Sequence, residues 1–123
     1  MSASIEQLIP TEWREAVVKV LRSGDERRIH SKNTADRGWE DAFPNTFRYQ
    51  RNEPMAQALA IDGITGRHIV DMDPRFGSNK SCDAYEFWFF FDQRRVLGKI
   101  GLLPSGDLII IFSSHIPHKG DKL

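Results

Sequence analysis

The run Tyr85-Glu86-Phe87-Trp88-Phe89-Phe90-Phe91 constrains this chain more than any other feature. Aromatic side chains favour a pleated, half-buried surface, so the run reads as a strand. Alternation puts Tyr85, Phe87, Phe89 and Phe91 on one face, and Glu86, Trp88 and Phe90 on the other. A strand apolar on both faces is either central and covered twice, or has one side turned to a partner. Asp92-Gln93 then makes a turn, Arg95 to Leu103 reads as a second strand, and Pro104-Ser105-Gly106-Asp107 as a hairpin loop. Leu108 to His115 is the third strand, ended by Pro117. Residues 85–115 are therefore expected to form a three-stranded antiparallel meander.

What precedes the meander reads mostly as helix. Ser4-Ile5-Glu6-Gln7 fits a capping box and predicts a short helical turn ended by Pro10. Thr11 is a suitable N-cap for a main helix. In that helix Trp13, Ala16, Val17, Val20 and Leu21 make one apolar stripe, Arg14, Glu15, Lys19 and Arg22 lie outside it, and Ser23-Gly24 supplies the stop. Residues 25–47 are polar, with Asn33, Asp36 and Gly38 as breakers and Trp39, Phe43 and Phe47 as core anchors. A structureless loop of that length is uncommon, so a short helix or strand is expected inside it. Thr46 to Arg51 alternates like a strand, and Pro54 suits the first position of a helix carrying Met55, Ala58 and Leu59. After turns at Asp62-Gly63 and Thr65-Gly66, Arg67 to Met72 reads as a short strand, and Phe76 to Asp83 as a loop. The expected fold class is α+β: N-terminal helices packed on a C-terminal antiparallel β-sheet, in a single domain of residues 1–123.

Charge narrows the function classes. The chain has 17 basic and 17 acidic side chains, without the basic excess usual in strongly nucleic-acid-binding proteins. The C-terminal part nevertheless gathers Arg94, Arg95, Lys99, His115 and His118, enough for a local positive face. Cys82 is the one cysteine, so neither an intrachain disulfide nor a cysteine-based zinc site is expected. No apolar run approaches the roughly 18–20 residues of a membrane span. The first ten residues lack the pattern of a secretory signal. The expectation is a cytoplasmic protein without membrane contact.

The polar residues of the meander are the candidates for chemistry. Alternation places Ile109, Ile111, Ser113 and His115 on one face of the last strand, and Leu108, Ile110, Phe112 and Ser114 on the other. Lys99 stands near Gly98 and Gly101, and glycine inside a strand marks a bulge or a close approach. Two readings stand for Lys99: a side chain snorkelling from a solvent face, or a cation in a site. Two also stand for His115, a surface histidine before a proline or a general acid or base. Together, Lys99, His115 and Ser113 as catalytic groups and Arg94, Arg95, Arg67 and His68 as phosphate contacts suit RNA cleavage without a metal or other cofactor. One group takes the 2′-hydroxyl proton and the cations stabilise charge on the phosphate. Asp71 and Asp73, with His115 and His118, suggest an alternative His/Asp metal site. No nucleotide-binding loop, nucleophile elbow or zinc motif is present.

The pattern R-R-V-L-G-K-I-G-L-L, a turn, then D-L-I-I-I-F-S-S-H resembles the closing strands of the barnase–EndoU–colicin–RelE nuclease group. The likeness covers about residues 85–116. It implies helices on an antiparallel sheet and a metal-independent ribonuclease toxin with Lys99 as the strand lysine. It also implies Ser113 and His115 as the last-strand polar pair, and Arg94 or Arg95 on a phosphate. The expected partners are RNA and a neutralising protein, with no DNA. The alternative is a non-enzymatic binding module, of immunity or adaptor type, that uses the aromatic sheet face.

Overall fold

A computed structural model of the chain describes residues 6–69 and 82–116. Its architecture is α+β: three helices, mostly N-terminal, on a six-stranded mixed sheet that closes with an antiparallel meander. The elements run β1 (Glu6–Leu8), α1 (Thr11–Ser23), β2 (Ile29–Ser31), α2 (Asn33–Ala42), a 3-10 turn (Arg48–Arg51), α3 (Asn52–Leu59), β3 (Thr65–Ile69), β4 (Asp83–Phe91), β5 (Arg94–Leu102) and β6 (Ile109–His115). The sheet order is β1-β3-β4-β5-β6-β2, antiparallel throughout except for β2 beside β6.

Helix α1 follows its apolar stripe: Trp13, Val17, Val20 and Leu21 are buried. Gly24 ends it at φ 66°, the left-handed geometry glycine adopts without strain, and its N–H reaches the Leu21 carbonyl. Arg14, expected on the solvent side, is buried instead. Its guanidinium donates to the carbonyls of Ile9, Leu59 and Ile61, tying α1 to the end of α3. Those carbonyls lie just before α1 and at the end of α3, where they need donors, which outweighs the cost of burying the side chain.

Several local expectations change. Thr11 is the first residue of α1, with Pro10 at the N-cap, and Phe47, expected as a core anchor, is exposed. Glu6–Leu8 is a strand pairing with β3, not a helical turn, because the open edge of β3 offers backbone groups that the segment satisfies. Thr46 to Arg51 is not a strand. It leads into the 3-10 turn, which the Gln50 side chain caps by accepting the Phe47 N–H at 2.7 Å, and which runs straight into α3. Pro54 lies within the first turn of α3 rather than at its first position, still where an N–H has no intrahelical partner. The expected element inside residues 25–47 exists, as β2 and α2. Strand β3 begins at Thr65; the segment after Ile69, with Asp71, Asp73 and the loop from Phe76, lies outside the described residues, as does His118.

All three helices cover one face of the sheet. Tyr85, Phe87 and Phe89 of β4, Val96 and Ile100 of β5, and Ile109 and Ile111 of β6 join Trp13, Val17, Met55 and Leu59 in one core. Each fully buried large side chain contributes about 1.5–3 kcal/mol. Trp39 anchors α2, with ring centroids 4.5 Å from Phe43 and 4.8 Å from Phe91. Gly38 lets α2 approach β6, since a Cβ there would stand 3.0 Å from the Ser114 carbonyl oxygen and from His115 Cβ. The other face of the sheet, called here the open face, is not covered by a helix among the described residues, although α2 meets His115 at the β6 edge through Gly38, and Ala84, Leu97, Ile110 and Phe112 on this face are buried.

A bulge in β6 resets its faces. Lys99 pairs with Ser113, whereas Ile100 pairs with Ile111, so Phe112 is an extra residue. Simple alternation put Ile109, Ile111, Ser113 and His115 together. With the bulge, Ile109, Ile111 and Ser114 face the helices, while Ser113 and His115 share the open face with Ile110 and Phe112.

Candidate functional site

Four strands bring one row of polar residues together on the open face. Arg67 of β3 pairs with Glu86 of β4, Glu86 with Lys99 of β5, and Lys99 with Ser113 of β6. The Glu86 carboxylate receives Arg67 at 2.9 Å and Lys99 at 3.9 Å. These three side chains are only partly exposed, at 27%, 14% and 24% for Arg67, Glu86 and Lys99. Their charges therefore interact through less water than a surface pair would. The Arg67 Nε is buried and has no hydrogen-bond partner among the described residues. One step along β6, His115 pairs with Leu97 on the same face, its Nδ1 2.8 Å from the Ile116 carbonyl oxygen. The glycines beside Lys99 provide space. A Cβ on Gly98 would crowd Phe89, Phe87 and Met55 on the helix side, and one on Gly101 would meet Cys82 and Phe112.

Arg95 belongs to this face as well, with its guanidinium 3.8 Å from the centre of the Trp88 ring. The remaining expected phosphate contacts are turned away. Arg94 projects to the helix side, where it reaches the Ala42 carbonyl at 3.3 Å and lies over Phe43. His68 stacks on Tyr85 and bonds Asp83 through Nε2 at 2.6 Å. Neighbouring residues on a strand point to opposite faces, so Arg67-His68 and Arg94-Arg95 each send one member to the row and one away. Among the described residues no three His, Cys, Asp or Glu side chains are grouped to hold a metal.

Sequence reasoning passed over Glu86. Its signal was there: it is the one carboxylate in the run Tyr85–Phe91. A second cluster, on the helix side, was not foreseen at all. Arg51 is buried and donates to Ser114 Oγ at 3.0 Å, Ser31 Oγ at 2.6 Å and Asp36 Oδ1 at 3.0 Å. Ser31 also bonds Asp36, and Arg48 reaches Asp36 Oδ2 at 2.9 Å. Burial pushes the Arg51 guanidinium below its ordinary value, and the Asp36 charge works against that shift. Asp36, read as a breaker, is thus an ion-pair partner inside α2.

The Arg51 cluster floors a groove of about 890 Å³ between α1, β2 and the 3-10 turn. Each of its arginines has an acidic partner: Arg22 pairs with Glu53, Arg27 with Asp25, Arg51 with Asp36, and Arg48 with Asp36 and Glu40. The hydrogen bond from Arg27 holds the Asp25 carboxyl below its ordinary value. On β3–β6 the open face sets Arg67, Lys99 and Arg95 against Glu86, with Glu6 at the β1 edge. Comparison of the chain with family models, curated proteins and solved structures gives no match.

Proposed function

We propose that the open face cleaves RNA by metal-independent general acid–base chemistry, as a ribonuclease-like toxin domain. The observation that carries this reading is the in-register row Arg67–Glu86–Lys99–Ser113, with His115 on the same face. The row supplies the group types the reaction needs. The Glu86 carboxylate, between two cations, serves as base for the 2′-hydroxyl proton. The 2′-oxygen attacks phosphorus, and the bond from phosphorus to the 5′-oxygen breaks. His115 gives a proton to that leaving oxygen as general acid. Lys99 and Arg67 stabilise the added negative charge on the phosphate, and Ser113 hydrogen-bonds a phosphate oxygen. DNA lacks the 2′-hydroxyl and is not a substrate. This reading agrees with the resemblance of the last strands to the barnase–EndoU–colicin–RelE group.

Expression of the chain in growing cells tests it. Wild type halts translation and degrades RNA, whereas Lys99→Ala and His115→Ala are harmless and accumulate as folded protein. Intact RNA and normal growth with the wild type contradict the reading.

A second reading, a non-enzymatic module that binds a protein, draws on exposed aromatic surface. Phe47 and Tyr49 stack 5.7 Å apart with 68% and 67% of their surface exposed, and Phe90 is 64% exposed. Recovery of a stoichiometric protein partner that still binds after His115→Ala favours it.

A further inference from the structure

The polar row has a continuation along the open face. Strand β4 places Trp88 two residues beyond Glu86, and Phe90 two beyond Trp88. Each step is about 6.8 Å along the strand. Trp88 is partly exposed, Phe90 is 64% exposed and pairs in register with Arg95, and Arg95 lies 3.8 Å from the Trp88 ring. The other aromatics of β4 serve the core: Tyr85, Phe87 and Phe89 are buried among the helices. Ile110 and Phe112 on the open face are buried too. Among the described residues the accessible aromatic surface of the face is therefore Trp88 and Phe90, and it adjoins the cationic row.

We propose that Trp88, Phe90 and Arg95 form a base-stacking subsite and that the substrate is single-stranded RNA. This rests on the RNA-cleavage reading and names the substrate class of the same face. An aromatic ring holds a base by its π-face whatever the base, and an arginine plane does the same while its charge faces the backbone. In a duplex both faces of each base are covered by its neighbours, so paired RNA has no free face for Trp88. Lys99, Arg67 and Arg95 provide the charge complementary to a phosphate backbone passing the row. A nucleotide stacked beyond Glu86 leaves its phosphate at the row itself.

Tryptophan fluorescence reads this subsite directly. Trp13 is 4% and Trp39 0% exposed, so Trp88 is the tryptophan that a ligand on the open face meets. A single-stranded 2′-O-methyl oligonucleotide, which cannot be cleaved, is titrated against the wild type, and the same strand annealed to its complement is the control. The single strand quenches and the duplex does not. Phe90→Ala and Arg95→Ala alter exposed side chains, and with Trp88→Ala each raises KM for RNA cleavage at least about fivefold with kcat little changed. Cleavage of RNA with KM unaltered in all three variants, or equal cleavage of duplex, overturns the subsite and leaves the cleavage reading standing. Quenching by the single strand without any RNA cleavage upholds the subsite and removes the cleavage reading. Neither quenching nor cleavage overturns both.

Discussion

Arg51 donates a hydrogen bond to the Ser114 hydroxyl at 3.0 Å on the helix side of β6, between Ser113 and His115 on the open face. Ser114 passes the connection on, donating to the Ala35 carbonyl of α2 at 2.9 Å. One buried cation thus joins β2, α2, the 3-10 turn and β6 behind the strand that carries two of the candidate residues, Ser113 and His115. It holds the end of β6 in the register that the bulge requires.

Removing that cation leaves the largely buried Asp36 facing only Arg48 and the Ser31 hydroxyl. Arg51→Ala is expected to destabilise the fold by about 3–5 kcal/mol, the range for breaking one side of a buried ion pair. Denaturant unfolding measures it. The exposed Arg22–Glu53 pair is the contrast; Arg22→Ala is expected to cost only about 0.2–1 kcal/mol. Equal losses in the two variants contradict the account of the cluster.

Gly98 fits against its neighbours without room to spare. A Cβ there would stand 3.1 Å from Phe89 and 3.3 Å from Phe87 and Met55. Gly98→Val therefore overpacks the helix side and is expected to lower stability by about 1–3 kcal/mol. Thermal unfolding compares it with Gly106→Ala, where a Cβ meets nothing within 4 Å but φ is +82° and strain alone is at issue.

The turn between β4 and β5 carries two non-glycine residues in the left-handed region, Asp92 at φ 51° and Gln93 at φ 63°. That pairing matches the twist of a two-residue hairpin, where glycine usually takes the second position. Gln93→Gly removes a left-handed cost of about 1–2 kcal/mol and loses part of it to chain entropy. A net stabilisation of a few tenths to about 1 kcal/mol is expected in denaturant unfolding. A destabilised variant contradicts it.

Stability also has an alkaline limit that Tyr85 sets in part. Burial raises the phenol above its ordinary value, the Asp83 charge adds to the rise, and a hydrogen bond with Gln7 opposes it. The folded chain therefore holds this proton more tightly than the unfolded chain. The contribution is complete below the unfolded value, about 10, and is lost as pH rises through the folded value. Unfolding measured from pH 8 upward should steepen above about pH 10, and Tyr85→Phe should flatten that part of the curve.

The parts legible in the sequence were those with a strong local period. The stripe of α1 and the meander of β4–β6 follow from side-chain spacing, and so do the two faces of β4. The remaining elements depend on partners distant in sequence. Strand β1 exists because β3 has an edge, and β2 because β6 does. The alternation of Thr46–Arg51 is real but belongs to a turn that delivers Arg51 to Asp36. The bulge at Phe112 leaves no mark in composition, yet it decides that Ser113 and His115, rather than Ile109 and Ile111, share a face with Lys99. Of the expected residues, Arg67, Lys99 and Ser113 lie in one cross-strand row, His115 and Arg95 lie further along the same sheet face, and Arg94 and His68 are on the other side.

The most direct measurement of the central claim is digestion of an end-labelled single-stranded RNA by the purified chain in excess chelator. The account predicts cleavage that leaves 2′,3′-cyclic phosphate and 5′-hydroxyl ends, with no effect on the matching DNA. It predicts a loss of about 100-fold or more in Glu86→Gln, Lys99→Ala and His115→Ala. RNA left intact by the wild type, or cleavage undiminished in all three variants, contradicts it.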